Sequence, residues 1–167
     1  MTLSVKPNRN EILELIGSII LATQETERSL KLIQSFTNNT ESSLSSALLR
    51  HKKLSKQTFG QLVGEFKASS VFTSNDIIAQ LDLLVNRRNN VVHHFHETFS
   101  SDLVSGNTNN VILALREHQT EISALRDMLG QMALRLFEAI RDTTFKDTPE
   151  FADMDAVCSA LQKNVAI

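Results

Sequence analysis

Apolar residues recurring every three or four positions over long stretches, with almost no proline to interrupt them, confine this chain to helices. From about Asn10 to Phe36, Ile12, Ile16, Ile19, Thr23, Leu30 and Ile33 share one face, while Glu14, Gln24, Glu27 and Lys31 share the other. That is the 3.6-residue period of an amphipathic helix. A second long run keeps Val111, Leu115, Ile122, Leu125, Leu129, Met132, Leu136 and Ile140 in phase. No stretch alternates with the two-residue period of a strand, and the only prolines are Pro7 and Pro149.

Punctuation between these runs predicts the remaining elements. Thr37-Asn38-Asn39-Thr40 ends the first helix, and a short segment covers about Leu44 to Lys53. Thr58 with Gln61 reads as a capping box, starting a helix that turns Phe59, Leu62, Val63 and Phe66 inward, with Gly60 and Gly64 allowing close packing. A third main helix is expected from Ser74 or Asn75 to Phe99, its buried stripe running through Leu81, Val85, Arg88, Val92, Phe95 and Phe99. Ser100 to Asn110, containing Gly106, reads as a polar loop, so the helices on either side of it are expected to pack antiparallel. Thr148 and Pro149 read as N-cap and first turn of a last helix carrying Phe151, Met154, Val157 and Leu161. The expected fold is all-α, an antiparallel bundle of four or five helices forming one domain over residues 1–167.

A chain of 167 residues can bury a real core. Its 17 basic and 19 acidic side chains leave a net charge of -2, so no global basic field draws in nucleic acid and any RNA contact must be local. Arg50, His51, Lys52, Lys53 and Lys56 cluster, but read as a solvated helix face. The single Cys158 excludes an intramolecular disulfide and reads as a small buried hydrophobe. Apolar runs such as Ile19 to Ala22 are far too short to span a bilayer, and no signal-peptide pattern opens the sequence. The expectation is a soluble cytoplasmic protein without membrane contact.

The stretch with chemistry is Arg88-Asn89-Asn90-Val91-Val92-His93-His94-Phe95. Asn89 and His93 are i,i+4 neighbours, and His96 extends the same polar strip. Arg88 lies about 140° from His93 on an ideal helix, so a long side chain, a local distortion or a two-fold partner must close the gap. Histidine can move protons near neutral pH, and guanidinium offers a bidentate fork to phosphate. These are the groups a metal-independent ribonuclease needs.

The spacing resembles the R-N-x-x-x-H signature of the HEPN superfamily, small all-α proteins of which many are metal-independent endoribonucleases. The resemblance implies that His93 is the acid/base, Arg88 the phosphate clamp and Asn89 an orienting group, with Arg87 and His96 as substrate-binding neighbours. It also implies a homodimer in which two motifs face each other across one cleft. RNA would be the substrate and no cofactor is implied. A toxin or phage-defence effector, with a possible cognate antitoxin or regulatory protein, is the expected setting. HEPN toxins neutralised by nucleotide attachment carry a tyrosine two residues after the motif histidine; here that position is Phe95, and the chain has no tyrosine.

Two other readings compete. His93 with His96 or Glu97 has the spacing of a metal chelate, but no Cys partner or H-E-x-x-H pattern accompanies it, so no metal is expected. His118 reads as a hydrogen-bonded histidine on the bundle stripe. The alternative function is a non-catalytic HEPN-like module that binds RNA, nucleotide or a partner protein. Its bland counterpart is an Arg88 that merely pairs with Asp82 or Glu97.

Overall fold

The computed structural model describes residues 7–37, 43–69 and 75–165. Among them are seven helices and no strand: α1 Pro7–Thr37, α2 Leu44–Leu54, α3 Phe59–Ala68, α4 Asn75–Val92, α5 Phe95–Ser105, α6 Thr108–Thr143 and α7 Phe151–Val165. The all-α expectation holds. The count exceeds four or five because the expected motif helix divides in two and the short α2 and α3 each form separately. Residues 38–40 of the expected first break, and the alternative start at Ser74, lie outside the described residues. No helix among the described residues is long and apolar enough to cross a membrane.

Two long helices form the frame. α1 has 31 residues and α6 has 36, or about 46 and 54 Å at the helical rise. Arg116 pairs with Glu11 at 2.5 Å, Gln119 with Ser18 at 2.8 Å and Arg126 with Glu25 at 3.5 Å. Numbers rise together along both helices, so α1 and α6 run parallel, and the antiparallel expectation does not extend to this pair. α4 does run antiparallel to α6: Leu81 and Leu84 share a cluster with Ile122, Leu125 and Leu129, whereas Val91 packs with Val111 and Leu115. α7 also turns back along α6, pairing Asp155 with Arg141 at 2.8 Å and Gln162 with Glu138 at 3.2 Å.

The core is a chain of three clusters along this frame. Ala22, Leu30 and Ile33 of α1 meet α3, α4 and α6 in the middle. Ile12, Leu15 and Ile19 meet Val91, Val111, Ile112 and Leu115 at one end. Phe137, Phe145, Met154, Cys158 and Leu161 close the other. Burial raises the Cys158 thiol pKa, which keeps it an inert packing residue.

Short helices dock through caps and buried polar bonds. The Thr58–Gln61 capping box forms, and Phe59, Leu62, Val63 and Phe66 are buried as the spacing predicts. Gln34, fully buried on α1, donates to the Leu62 carbonyl at 2.8 Å. Arg50 reaches the Gln34 carbonyl at 3.1 Å and Glu65 at 3.3 Å. His51 lies 3.3 Å from Ser35 Oγ. Those two basic residues thus turn toward α1, while Lys52 and Lys53 stay exposed. Gly60 faces Val85 at ordinary contact distance, but Gly64 faces open space, so close packing is not its role.

Three boundaries differ from expectation. The helix expected to run to Phe99 breaks at His93-His94, and the expected polar loop from Ser100 is instead the second half of α5. α5 carries its own stripe of Phe95, Phe99 and Leu103, packed on the cluster around Val111. It ends at Gly106, whose φ of 75° is the left-handed C-cap conformation. α7 starts at Phe151, after a turn in which the Phe151 N–H donates to the Thr148 carbonyl at 3.2 Å, so Thr148 and Pro149 lie ahead of the helix.

The break coincides with a rotation of the buried face. Leu81, Leu84 and Val91 form the sealed line on α4, whereas Arg88 is half-buried beside it and Val92 is 39% exposed. The stripe that would have buried Arg88 and Val92 is therefore not the core face, since sealing a guanidinium there is costly. Val91→Asp is expected to destabilise the protein by about 3 kcal/mol, and Val92→Asp by no more than about 0.5 kcal/mol. Equal losses in urea melts of the two variants would contradict this rotation.

Candidate active site

The motif sits where α4 ends. The His93 N–H still donates to the Asn89 carbonyl at 2.9 Å and the His94 N–H to the Asn90 carbonyl at 3.2 Å, after which the chain leaves the α4 axis. Asn89, Asn90, Val91 and Val92 are all modest helix formers, and His94 Nδ1 lies 3.0 Å from Glu97 in the first turn of α5. Both features favour a new start there. His93 thus occupies a turn with its ring exposed.

This placement closes the angular gap. Arg88 Nη1 donates to Asn89 Oδ1 at 3.1 Å and lies 3.1 Å from His93 Nε2. A guanidinium has donors only, so Nε2 is the acceptor, and a neutral His93 carries its proton on Nδ1. One Arg88 nitrogen thereby joins the amide and the imidazole within a single chain. Arg88 makes no ion pair among the described residues: Asp82 pairs with Lys67 at 2.6 Å, and Glu97 faces His94. Its Nε and Nη2 have no hydrogen-bond partner among the described residues, which leaves one edge of the fork open to an anion.

The two neighbours expected to bind substrate stand apart from this group. Arg87 points to α6, where Nη1 meets Glu121 at 2.5 Å and Nη2 meets Glu117 at 3.1 Å. His96 is exposed beyond the break, its ring edge-on to Phe95 at 5.8 Å, and the strip expected to link it to His93 is interrupted. Among the described residues no three His, Cys, Asp or Glu side chains gather in a way that could hold a metal ion.

Beside the motif, a cleft of about 250 Å³ opens between α4, α5 and α6. Its walls include Val91, Phe99 and Leu115, and its polar edge includes Arg87, Asn90, Thr98 and His118. Sequence spacing did not mark Asn90 or Thr98, which come together only because the chain turns at His93-His94. His118 is 3% exposed, and among the described residues its Nε2 has no hydrogen-bond partner, where a hydrogen-bonded histidine was expected. Burial, followed by the nearby Arg87 charge, lowers its pKa to about 4.

That depression links stability to pH. An unfolded His118 accepts a proton near its ordinary 6.5, whereas the folded one resists until about 4. Its contribution is therefore complete above pH 6.5 and lost as pH falls toward 4, by at most about 3 kcal/mol. His118→Gln is expected to flatten that slope in denaturant melts. Parallel losses in the variant and the parent would exclude His118 as its source. Set against known proteins, the chain matches no family model, no curated protein and no solved structure, so the roles of Arg88, Asn89 and His93 rest on their own geometry and on the R-N-x-x-x-H resemblance.

Proposed function

We propose that this protein is a metal-independent endoribonuclease of HEPN type, acting as a toxin or phage-defence effector. The observation that carries the reading is the single Arg88 nitrogen bridging Asn89 and His93, with no carboxylate paired to it among the described residues. Such an arrangement is suited to RNA cleavage by internal attack. RNA phosphate draws the guanidinium away and releases His93 Nε2 as an acceptor. That nitrogen takes the proton of the ribose 2′-hydroxyl while the 2′-oxygen bonds to phosphorus. The bond from phosphorus to the 5′-oxygen breaks, and a proton reaches the leaving oxygen. The products are a 2′,3′-cyclic phosphate and a 5′-hydroxyl. Arg88 stabilises the charge on phosphate, and Asn89 keeps the guanidinium tethered as it leaves His93.

The reaction needs one group to remove a proton and another to supply one, and each motif contains one motif histidine. A homodimer placing two motifs in one cleft provides both, as the HEPN resemblance implies. Exposed Val92 beside His93 adds an apolar contact for such an interface. Light scattering at micromolar concentration is expected to give twice the chain mass, and Val92→Asp to lower it while leaving the fold intact. A strictly monomeric protein that cleaves RNA would remove the dimer from this reading.

Incubating the protein with total RNA in chelator is expected to yield fragments ending in 2′,3′-cyclic phosphate. His93→Ala is expected to abolish turnover, a loss of about 100-fold or more, with RNA affinity nearly unchanged. Arg88→Lys keeps the charge but loses the fork, so both cleavage and binding are expected to weaken. Affinities are compared at one salt concentration, because phosphate contacts are strongly screened. Cleavage by His93→Ala at the parental rate would overturn the mechanism and leave a non-catalytic RNA-binding module as the better reading.

A further inference from the structure

The cleft between α4, α5 and α6 has a composition unlike that of the motif beside it. Its cation, Arg87, is matched by two carboxylates, Glu117 and Glu121, so it has no surplus positive charge for phosphate. One wall carries the half-buried ring of Phe99, with Val91 and Leu115 adding apolar surface. Its edge offers the Asn90 amide and Thr98 hydroxyl, with the buried His118 in the lining behind them. The volume, about 250 Å³, falls below the roughly 300–1,000 Å³ of sites for drug-sized ligands. A single flat ring system suits it better than a peptide or a whole nucleotide.

We propose that this cleft takes one unpaired base of the RNA whose phosphate is held at Arg88 and His93, an inference that rests on the ribonuclease reading. Single-stranded RNA is recognised by stacking splayed bases on aromatic rings and bonding their edges to side chains. Phe99 supplies the ring. Asn90 supplies a paired donor and acceptor, the arrangement that matches the edge of a base. His118 stays neutral well below neutral pH, so the inner wall sets no second cation against an uncharged base. Position favours the same conclusion. Asn90 directly follows Asn89, whose side chain accepts from Arg88, so the cleft and the phosphate clamp draw on adjacent residues of the last turn of α4.

Base binding can be measured apart from cleavage. Adenosine, guanosine, cytidine and uridine, which lack phosphate, are titrated into isotope-labelled protein and followed by NMR. At least one nucleoside is expected to give saturable shifts at Asn90, Thr98 and Phe99 in the parent and equally in His93→Ala. Ala114→Phe, at an exposed position on the α6 wall, is expected to fill the cleft without touching the core and to remove those shifts. Asn90→Leu, also exposed, is expected to weaken them while leaving the melt unchanged. In the His93→Ala background, Ala114→Phe is further expected to weaken binding of single-stranded RNA roughly tenfold, the worth of one stacked base. Absence of saturable shifts with all four nucleosides, or their persistence in Ala114→Phe, would overturn the proposal. Nucleoside shifts combined with undiminished RNA affinity in Ala114→Phe would also overturn it, by assigning the cleft to a free nucleoside. Loss of RNA cleavage chemistry, by contrast, is read by His93 alone and would leave the nucleoside result standing.

Discussion

The seating of α4 on α6 governs what the motif can do. Leu81, Leu84 and Val91 are sealed against α6 and its neighbours, and fully burying one such side chain contributes about 1.5–3 kcal/mol. The partly exposed clasp from Arg87 to Glu117 and Glu121 adds at most about 1 kcal/mol per pair. Apolar burial therefore sets the rotation of α4, and the clasp agrees with it. Once that rotation is set, Arg88 and Asn89 lie beside the core rather than in it, half-accessible, and Arg88 makes no ion pair among the described residues.

The turn after Val92 does the rest. It lets α5 bury Phe95, Phe99 and Leu103 on the end cluster, and the same turn brings His93 to the Arg88 guanidinium at 3.1 Å. A straight continuation would have left the two side chains on different faces. Packing of a hydrophobic stripe and assembly of a polar trio are thus two results of one backbone bend. The cleft edged by Asn90 and Thr98 is a third.

Much of the frame was legible in the sequence, because α1 and α6 are long enough for their periodicity to dominate any local preference. The Thr58–Gln61 cap and the inward set of α3 were legible for a similar reason, since both depend on neighbours a few residues apart. The rotation of α4 was harder. Leu81-Val85-Arg88-Val92 and Leu81-Leu84-Val91 are both helical stripes, and only the cost of sealing Arg88 separates them. No glycine or proline marks the break at His93-His94, and the serine-rich stretch from Ser100 disguised the second half of α5, whose helix is kept by Phe95, Phe99 and Leu103. The sequence reading grouped Arg88, Asn89 and His93, whose side chains the structure brings together, and set Arg87 and His96 with them, which it does not. Their separation depends on Glu117 and Glu121 from another helix and on the bend, and neither is a local property.

The parallel course of α1 and α6 has a consequence for how this chain comes to be folded. Their polar partners are separated by 101 to 105 residues of sequence, against 14 and 24 for the pairs joining α6 to α7. Helical proteins rich in local contacts fold fast, and seams between distant segments slow them because a long loop must close first. During synthesis the apolar face of α1 is complete while most of the chain that covers it has yet to be made. Until α6 emerges, that face is longer than any that α2 to α5 carry, and the one most in need of shielding from other chains.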